Sequence, residues 1–188
     1  FAWRGVDWGR RWKLFGRPII QRHCGRRIAL GNGLTLRSSP AGPPAPTAPV
    51  VLSTRRSGAV LEVGEDCGFT GTTLVAADRI TIGDRVLVGG NASIVDFDFH
   101  PQTPEGRAEA INAGAAAPIV IADDVLMDTL VMKGGIGEGA VVGAGSVVTQ
   151  DVPPRTAKDA RCLLLREISI PRSGPCVLRV RRRSAFVE

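Results

Sequence analysis

One period constrains this chain more than any other feature. From Val63 to Val152 the sequence returns to the same template every six residues. A bulky apolar residue comes first, a small or polar one second, and a small or β-branched one fifth. Val63-Gly64 goes with Cys67, Phe69-Thr70 with Thr73, Ile82-Gly83 with Val86, and Val88-Gly89 with Ala92. After a break come Ile121-Ala122 with Val125, Ile136-Gly137 with Ala140, Val142-Gly143 with Ser146, and Val148-Thr149 with Val152.

A short fixed period predicts stacked coils rather than an ordinary globular core. Six residues make a short strand and a corner, and three such faces close one coil of a triangular prism. The bulky first residue points inward. The next is small because the chain turns there, a place suited to glycine. Coils then pair as parallel strands, so the expected class is all-β. Parallel crossovers are usually right-handed, and the spacing alone does not set the hand of this column.

The chain has 188 residues, of which 44% are hydrophobic, enough for one domain with a sizeable core and too many for disorder. Between Gly16 and Ala185 its only aromatics are Phe69, Phe97 and Phe99, as a narrow prism requires. The net charge of +6 suits an anionic ligand, an anionic membrane surface or nucleic acid. No base-reading or stacking motif accompanies it, so no nucleic-acid partner is expected. Cys24, Cys67, Cys162 and Cys176 lack metal spacing and read as free thiols in a reducing compartment, with Cys67 in the core. No metal site is expected. No stretch reads as a signal peptide or a membrane span, so the expected location is the cytoplasm. The first residue is Phe1, not Met, as expected of a chain that continues upstream.

Three segments follow. In residues 1–27, Trp8, Trp12, Phe15 and Ile19 fall at helical spacing among Arg10, Arg11, Lys13 and Arg17. This predicts a short helix ending before Pro18 and covering the prism. The same stripe fits an interfacial element on anionic lipid, so residues 1–20 are a candidate for peripheral contact at the inner face of the membrane. His23 is expected to be structural or solvated. Residues 28–154 form the prism, interrupted by a Pro/Ala loop from Ser38 to Pro49 and by an excursion over 96–118. Insertions of this kind usually lie on a solenoid's working face. Residues 155–188 read as a C-terminal extension with a solvated basic tail.

The hexads, the segment Asp96-Phe97-Asp98-Phe99-His100-Pro101, and the run from Ile136 to Thr149 followed by Asp151-Val152-Pro153-Pro154 resemble the hexapeptide-repeat acetyltransferases. The likeness is greatest to the sugar O-acetyltransferase branch, which includes galactoside, maltose and colanic-acid-type enzymes. It covers roughly residues 60–155 well and the ends weakly. It implies a left-handed parallel β-helix, acetyl-CoA as co-substrate, a sugar or glycan acceptor as in exopolysaccharide synthesis, and a homotrimer. His100 is then the general base, a role that suits imidazole. Asp98 or Asp96 would orient the ring, although alternating Asp and Phe also fits a plain strand. The resemblance places Gly89, Met127, Ala144 and Thr149 along the coenzyme, with Arg161 and Arg166 on its phosphates. Thr70, Gly71 and Asn91 would line the acceptor side.

The chain departs from that pattern in three places. Ile121 to Val131 is ten residues where the repeat wants twelve, and Val131 to Ile136 is five where it wants six. After Thr156 a Gly-Asn-Pro segment is absent. These losses predict a tightened corner or misdirected side chains, and they keep open a second reading as a trimeric scaffold with impaired turnover. N-acetylation of an amino sugar is a third. A hexad-repeat carbonic anhydrase needs three His ligands, and the chain has two His in all.

Overall fold

The computed structural model describes residues 6–23, 26–41, 45–101, 103, 106, 114–158 and 166–167. The chain winds as a column of coils. The first coil holds β1 (Val6–Trp8), β2 (Lys13–Phe15) and β3 (Ile19–Arg22), and the second β4 (Arg27–Leu30), β5 (Thr35–Arg37) and β6 (Val51–Thr54). The third has β7 (Val60–Val63), β8 (Gly68–Thr70) and β9 (Thr73–Ala76), and the fourth β10 (Arg79–Ile82), β11 (Leu87–Gly90) and β12 (Ser93–Val95). Next come β13 (Ile119–Ile121) and β14 (Leu126–Val131) in the fifth, β15 (Val141–Val148) in the sixth, and β16 (Thr156–Lys158) in the seventh. A short β17 (Arg166–Glu167) pairs antiparallel with β16.

Every coil-to-coil pairing is parallel, and the strands fall into three faces. β1, β4, β7, β10 and β13 form the first face. β2, β5, β8, β11 and the start of β14 form the second, and β3, β6, β9, β12 and the end of β14 form the third. The fold is a parallel β-helix. Its core is a set of vertical columns, because each inward residue stacks on its register partner. Leu36, Phe69, Val88, Met127 and Val142 make one column, and Leu52, Leu74, Ile94, Val131 and Val148 another. All ten are buried.

The corner between the first and second faces is built the same way seven times. Arg11, Gly33, Asp66, Arg85, Asp124, Gly139 and Arg155 each adopt the left-handed conformation, with φ from 53° to 71°. From Gly33 upward, each donates its N–H to the carbonyl preceding the equivalent residue one coil below, as Asp66 does to Asn32 at 2.8 Å. The conformation disfavours residues with a Cβ. The repeated hydrogen bond holds it, helped at Arg85 by a bidentate pair with Asp124 at 2.7 and 2.9 Å. Gly31 opens one such corner because the coils approach too closely for a side chain: a Cβ there would lie 2.3 Å from the Gly64 carbonyl oxygen.

The N-terminal helix expected from Trp8, Trp12, Phe15 and Ile19 does not form. Those residues lie in β1, β2, β3 and their corners, and β1, β2 and β3 pair with β4, β5 and β6. The coils therefore already include Val6–Arg22, ahead of the boundary expected at residue 28. Trp8, Leu14 and Ile20 stand in register with Leu30, Leu36 and Leu52, so the six-residue step was already present. Bulky residues at the fifth place and on outward positions overlaid it with intervals of three and four. At the other end, β16 pairs with β15, so the coils run on to Lys158, past the boundary expected at 154.

The shortened fifth coil keeps its columns. From Val88 to Ile94 the fourth coil spends six residues on the corner between the second and third faces, whereas the fifth spends four from Met127 to Val131. β14 crosses that corner as one uninterrupted strand. Met127, Thr129 and Val131 are buried while Leu126, Asp128 and Leu130 are not. The expected tightening of the corner is what occurs, and the core is not disturbed by it.

Candidate functional site

The excursion carrying His100 leaves the column after β12, at the corner between the third and first faces. Its root is fixed at several points. Asp96 is fully buried, and its two carboxylate oxygens accept the backbone N–H groups of Ala77 at 2.6 Å and Asp78 at 2.8 Å. Burial raises its pKa above the ordinary carboxylate value, and the amide hydrogen bonds pull the other way. Phe97 is fully buried against Val75, Ala77 and Val95, a small apolar cluster outside the prism. Phe97 and Ala116 form an antiparallel bridge, the Asp98 N–H donates to Ala115 at 2.9 Å, and the Ala117 N–H donates to Asp96 at 2.8 Å. Arg56 lies 5.3 Å over the Phe97 ring and donates to the Gly114 carbonyl at 2.5 Å. Lys133 closes the root with an ion pair to Asp98 at 3.4 Å.

His100 emerges from this root as an exposed side chain, and Phe99 beside it packs on Phe97 at 4.7 Å between ring centroids. Asp96 does not serve His100 as an orienting carboxylate, because both its oxygens are taken by the third coil's backbone. Asp98 faces Lys133. Thr149, exposed, follows Val148 at this same corner two coils further on, since Val148 pairs with Val131 and Val131 with Ile94.

The remaining predicted residues gather at a different edge, between the second and third faces. Thr70 is buried, and its carbonyl accepts the Asn91 N–H at 3.0 Å. The Asn91 side-chain oxygen accepts both the N–H and the hydroxyl of Thr47, at 2.9 and 2.8 Å, which ties down the Pro/Ala loop. Gly71 packs beneath that loop, where a Cβ would come within 2.6 Å of Pro46. Gly89 lies under Asp128, and a Cβ there would stand 2.8 Å from the Asp128 side chain. Ala144 is exposed between Gly143 and Gly145. The missing corner of the fifth coil leaves a notch of about 390 Å³ among these residues, lined by Gly90, Asn91, Asp128, Thr129 and Gly145.

Met127 corrects one expectation. Its side chain is fully buried in the core column, so a ligand on the surface can meet only its backbone. Arg161 lies outside the described residues, and Arg166 is described only as part of β17. Among the described residues no three His, Cys, Asp or Glu side chains are grouped to hold a metal ion. Sequence reasoning missed Arg56, Lys133 and Asp128. None occupies a repeat position that the hexad template defines, so periodicity carried no signal for them.

No protein-family profile matches the chain. It is 36% identical over 101 residues to galactoside O-acetyltransferase of Escherichia coli, covering 52% of this chain and 48% of that one. It is 37% identical over 79 residues to 2,3,4,5-tetrahydropyridine-2,6-dicarboxylate N-acetyltransferase of Staphylococcus aureus, covering 40% of this chain and 28% of that one. Both similarities are to acetyltransferases, and each covers part of this chain. The chain spans less than half the length of these two curated relatives. The crystal structure of a hexapeptide-repeat acetyltransferase from Vibrio cholerae aligns with a TM-score of 0.49 at 23% identity, covering 81% of this chain and 68% of that one.

The two edges of the column are separated by the full width of the third face. One prism thus holds His100 at one edge and the glycine-rich notch at another.

Proposed function

We propose that the chain transfers an acetyl group from acetyl-CoA to a hydroxyl of a sugar or glycan, with His100 as general base. The observation that carries this reading is an exposed imidazole on an excursion whose root is anchored to the third coil, to Arg56 and to Lys133. The similarity to galactoside O-acetyltransferase supports the acceptor class. In the step we propose, His100 removes the hydroxyl proton as the oxygen attacks the thioester carbonyl. The tetrahedral intermediate collapses to the acetyl ester, and the departing thiolate takes the proton back from the imidazolium. A base is required because a sugar hydroxyl is a poor nucleophile near neutral pH.

The separation of the two edges supports a site shared between copies, with the His100 edge of one prism facing the notch edge of the next in a homotrimer. Gly89, Ala144 and Thr149 would follow the coenzyme, and Thr70, Gly71 and Asn91 the acceptor side. We place the reaction in the cytoplasm, in the modification of cell-surface polysaccharide.

Thiol release from acetyl-CoA, followed with a panel of galactosides, maltosides and amino sugars, tests the reading. Acceptor-dependent release is expected, and His100→Ala should lower it by about 10²–10⁴-fold while acetyl-CoA still binds. Release that needs no acceptor, or a variant as fast as the parent, would sink the proposal. An absence of any turnover would favour the scaffold reading.

A further inference from the structure

The corner between the second and third faces turns on a left-handed residue in the third, fourth and sixth coils. These are Gly71, Asn91 and Gly145, with φ of 57°, 63° and 74°. The fifth coil has none there, because β14 runs straight through. Met127 pairs with Val142 and Thr129 with Ser146, so Gly143, Ala144 and Gly145 stand opposite Asp128 alone. The notch is therefore one missing layer of the column, about 4.8 Å thick. Its volume of about 390 Å³ falls in the range of small-molecule sites.

The residues that line this notch have hydrogen-bonding capacity to spare. Asp128 is half-buried, and its carboxylate has neither a hydrogen bond nor an ion pair among the described residues. Asn91 spends its side-chain oxygen on Thr47, and its NH₂ group keeps both hydrogens unspent among the described residues. Ser146 is buried, and its hydroxyl finds no partner. Buried polar groups of this kind are rarely left unpaired. No Lys or Arg is among the described residues lining the notch. On its third-face side Leu130 and Val147 stand in register and supply an apolar wall.

We infer that the notch is a carbohydrate subsite in which Asp128 and Asn91 grip adjacent hydroxyls of a sugar ring. A sugar hydroxyl both donates and accepts, so it satisfies an acceptor-only carboxylate and a donor-only NH₂ group at once. Two neighbouring hydroxyls fill both oxygens of Asp128, and hydrogen bonds to an ionised oxygen are the strong ones. The C–H face of the ring then lies on Leu130 and Val147. An anion is disfavoured, because Asp128 repels it and no cation lines the notch. An ammonium would satisfy Asp128 but offer the Asn91 donors no acceptor. An amide chain such as the coenzyme's arm brings one N–H at a time to a carboxylate with two oxygens to fill. Neither Gly89 nor Ala144 lines the notch, whereas Asn91 does. The part a bound sugar plays in acetyl transfer rests on the reading above, in which this edge faces His100 of the next copy. The binding itself does not.

Saturation-transfer NMR on the 188-residue chain, titrated with methyl β-galactoside or maltose and without acetyl-CoA, tests this directly. At least one of the two sugars should bind, and Asp128→Ala should weaken that binding by about tenfold or more. Asp128→Asn keeps the shape of the side chain and removes its charge. The parent should bind galacturonate more weakly than galactose, and Asp128→Asn should narrow that gap. His100→Ala should bind the sugars like the parent. In turnover, Asp128→Asn should raise the KM for the sugar and leave that for acetyl-CoA unchanged. Thermal melts show whether each variant is folded. Binding of neither sugar, an affinity unchanged in Asp128→Ala, or a KM rise confined to acetyl-CoA would overturn the inference. The last two outcomes leave the proposed acetyl transfer standing. A parent that binds sugar through Asp128 but moves no acetyl group would sink that transfer and keep the subsite.

Discussion

The Asp96 carboxylate lies 2.6 Å from the backbone nitrogen of Ala77, one coil away, in a place solvent does not reach. That contact makes Asp96 a brace for the His100 excursion, and burial holds its pKa above the ordinary carboxylate value. The sign of the linkage follows. As pH rises past about 4 the unfolded chain gives up this proton first, so the folded state loses relative stability until its own pKa is passed.

Asp96→Asn removes that slope. It also sets a side-chain NH₂ against one of the two amide donors, at a cost of about 1–3 kcal/mol. Urea unfolding of both proteins over a pH series should show the parent's advantage shrinking as pH rises. An advantage that stays level would mean that the carboxyl titrates alike in both states.

Gly31→Ala should cost about 1–3 kcal/mol, because its Cβ would sit 2.3 Å from the Gly64 carbonyl oxygen and the coils would have to part. Gly58→Ala is the control. Gly58 has φ +77° with nothing within 4 Å of an added Cβ, so only the backbone conformation resists and the loss should be about 1–2 kcal/mol. Thermal melts of the two variants separate crowding from backbone preference. Equal losses would show that the close approach at Gly31 relaxes freely.

Met127→Ala should destabilise by about 2–5 kcal/mol and Met127→Leu by less than about 1.5 kcal/mol, since the side chain fills a core column. Calorimetry reads both. A small loss for Met127→Ala would contradict its inward placement and return it to the surface.

Cys67 is buried, and burial pushes its thiol up to about 11, with the Asp84 and Asp66 carboxylates adding to the effect. The thiolate is the reactive form, so native Cys67 should resist thiol reagents at mildly alkaline pH and react on unfolding. Peptide mapping after labelling distinguishes it from the other cysteines. Rapid labelling of Cys67 in the native protein would place it near solvent.

The column was legible because its period is a backbone property that every coil must obey. Val63, Phe69, Ile82 and Val88 announced it, and the short count from Ile121 to Val131 located the tightened corner. Trp8 and Leu14 obeyed the same step, but Trp12, Phe15 and Ile19 produced a competing helical stripe in a coil with little polar contrast. The His100 excursion was found as a break in the repeat. Its anchors, Arg56 and Lys133, are distant in sequence and meet only through the winding, so no spacing could have revealed them. Asp96 and Asp98 looked alike in the sequence. The chain bends away from β12 at Asp96, which turns to the Ala77 and Asp78 amides, while Asp98 beyond the bend meets Lys133.

β14 has a consequence for how such a chain can change its length. Side chains along a strand alternate, so dropping two residues between Met127 and Val131 returns both to the interior. Dropping one would turn the isopropyl group of Val131 to water, with no left-handed residue nearby to restore its direction. Where a strand runs straight through a bend, this architecture can be trimmed or lengthened in pairs, and odd-numbered edits should be confined to corners that turn on a residue such as Gly71 or Asn91.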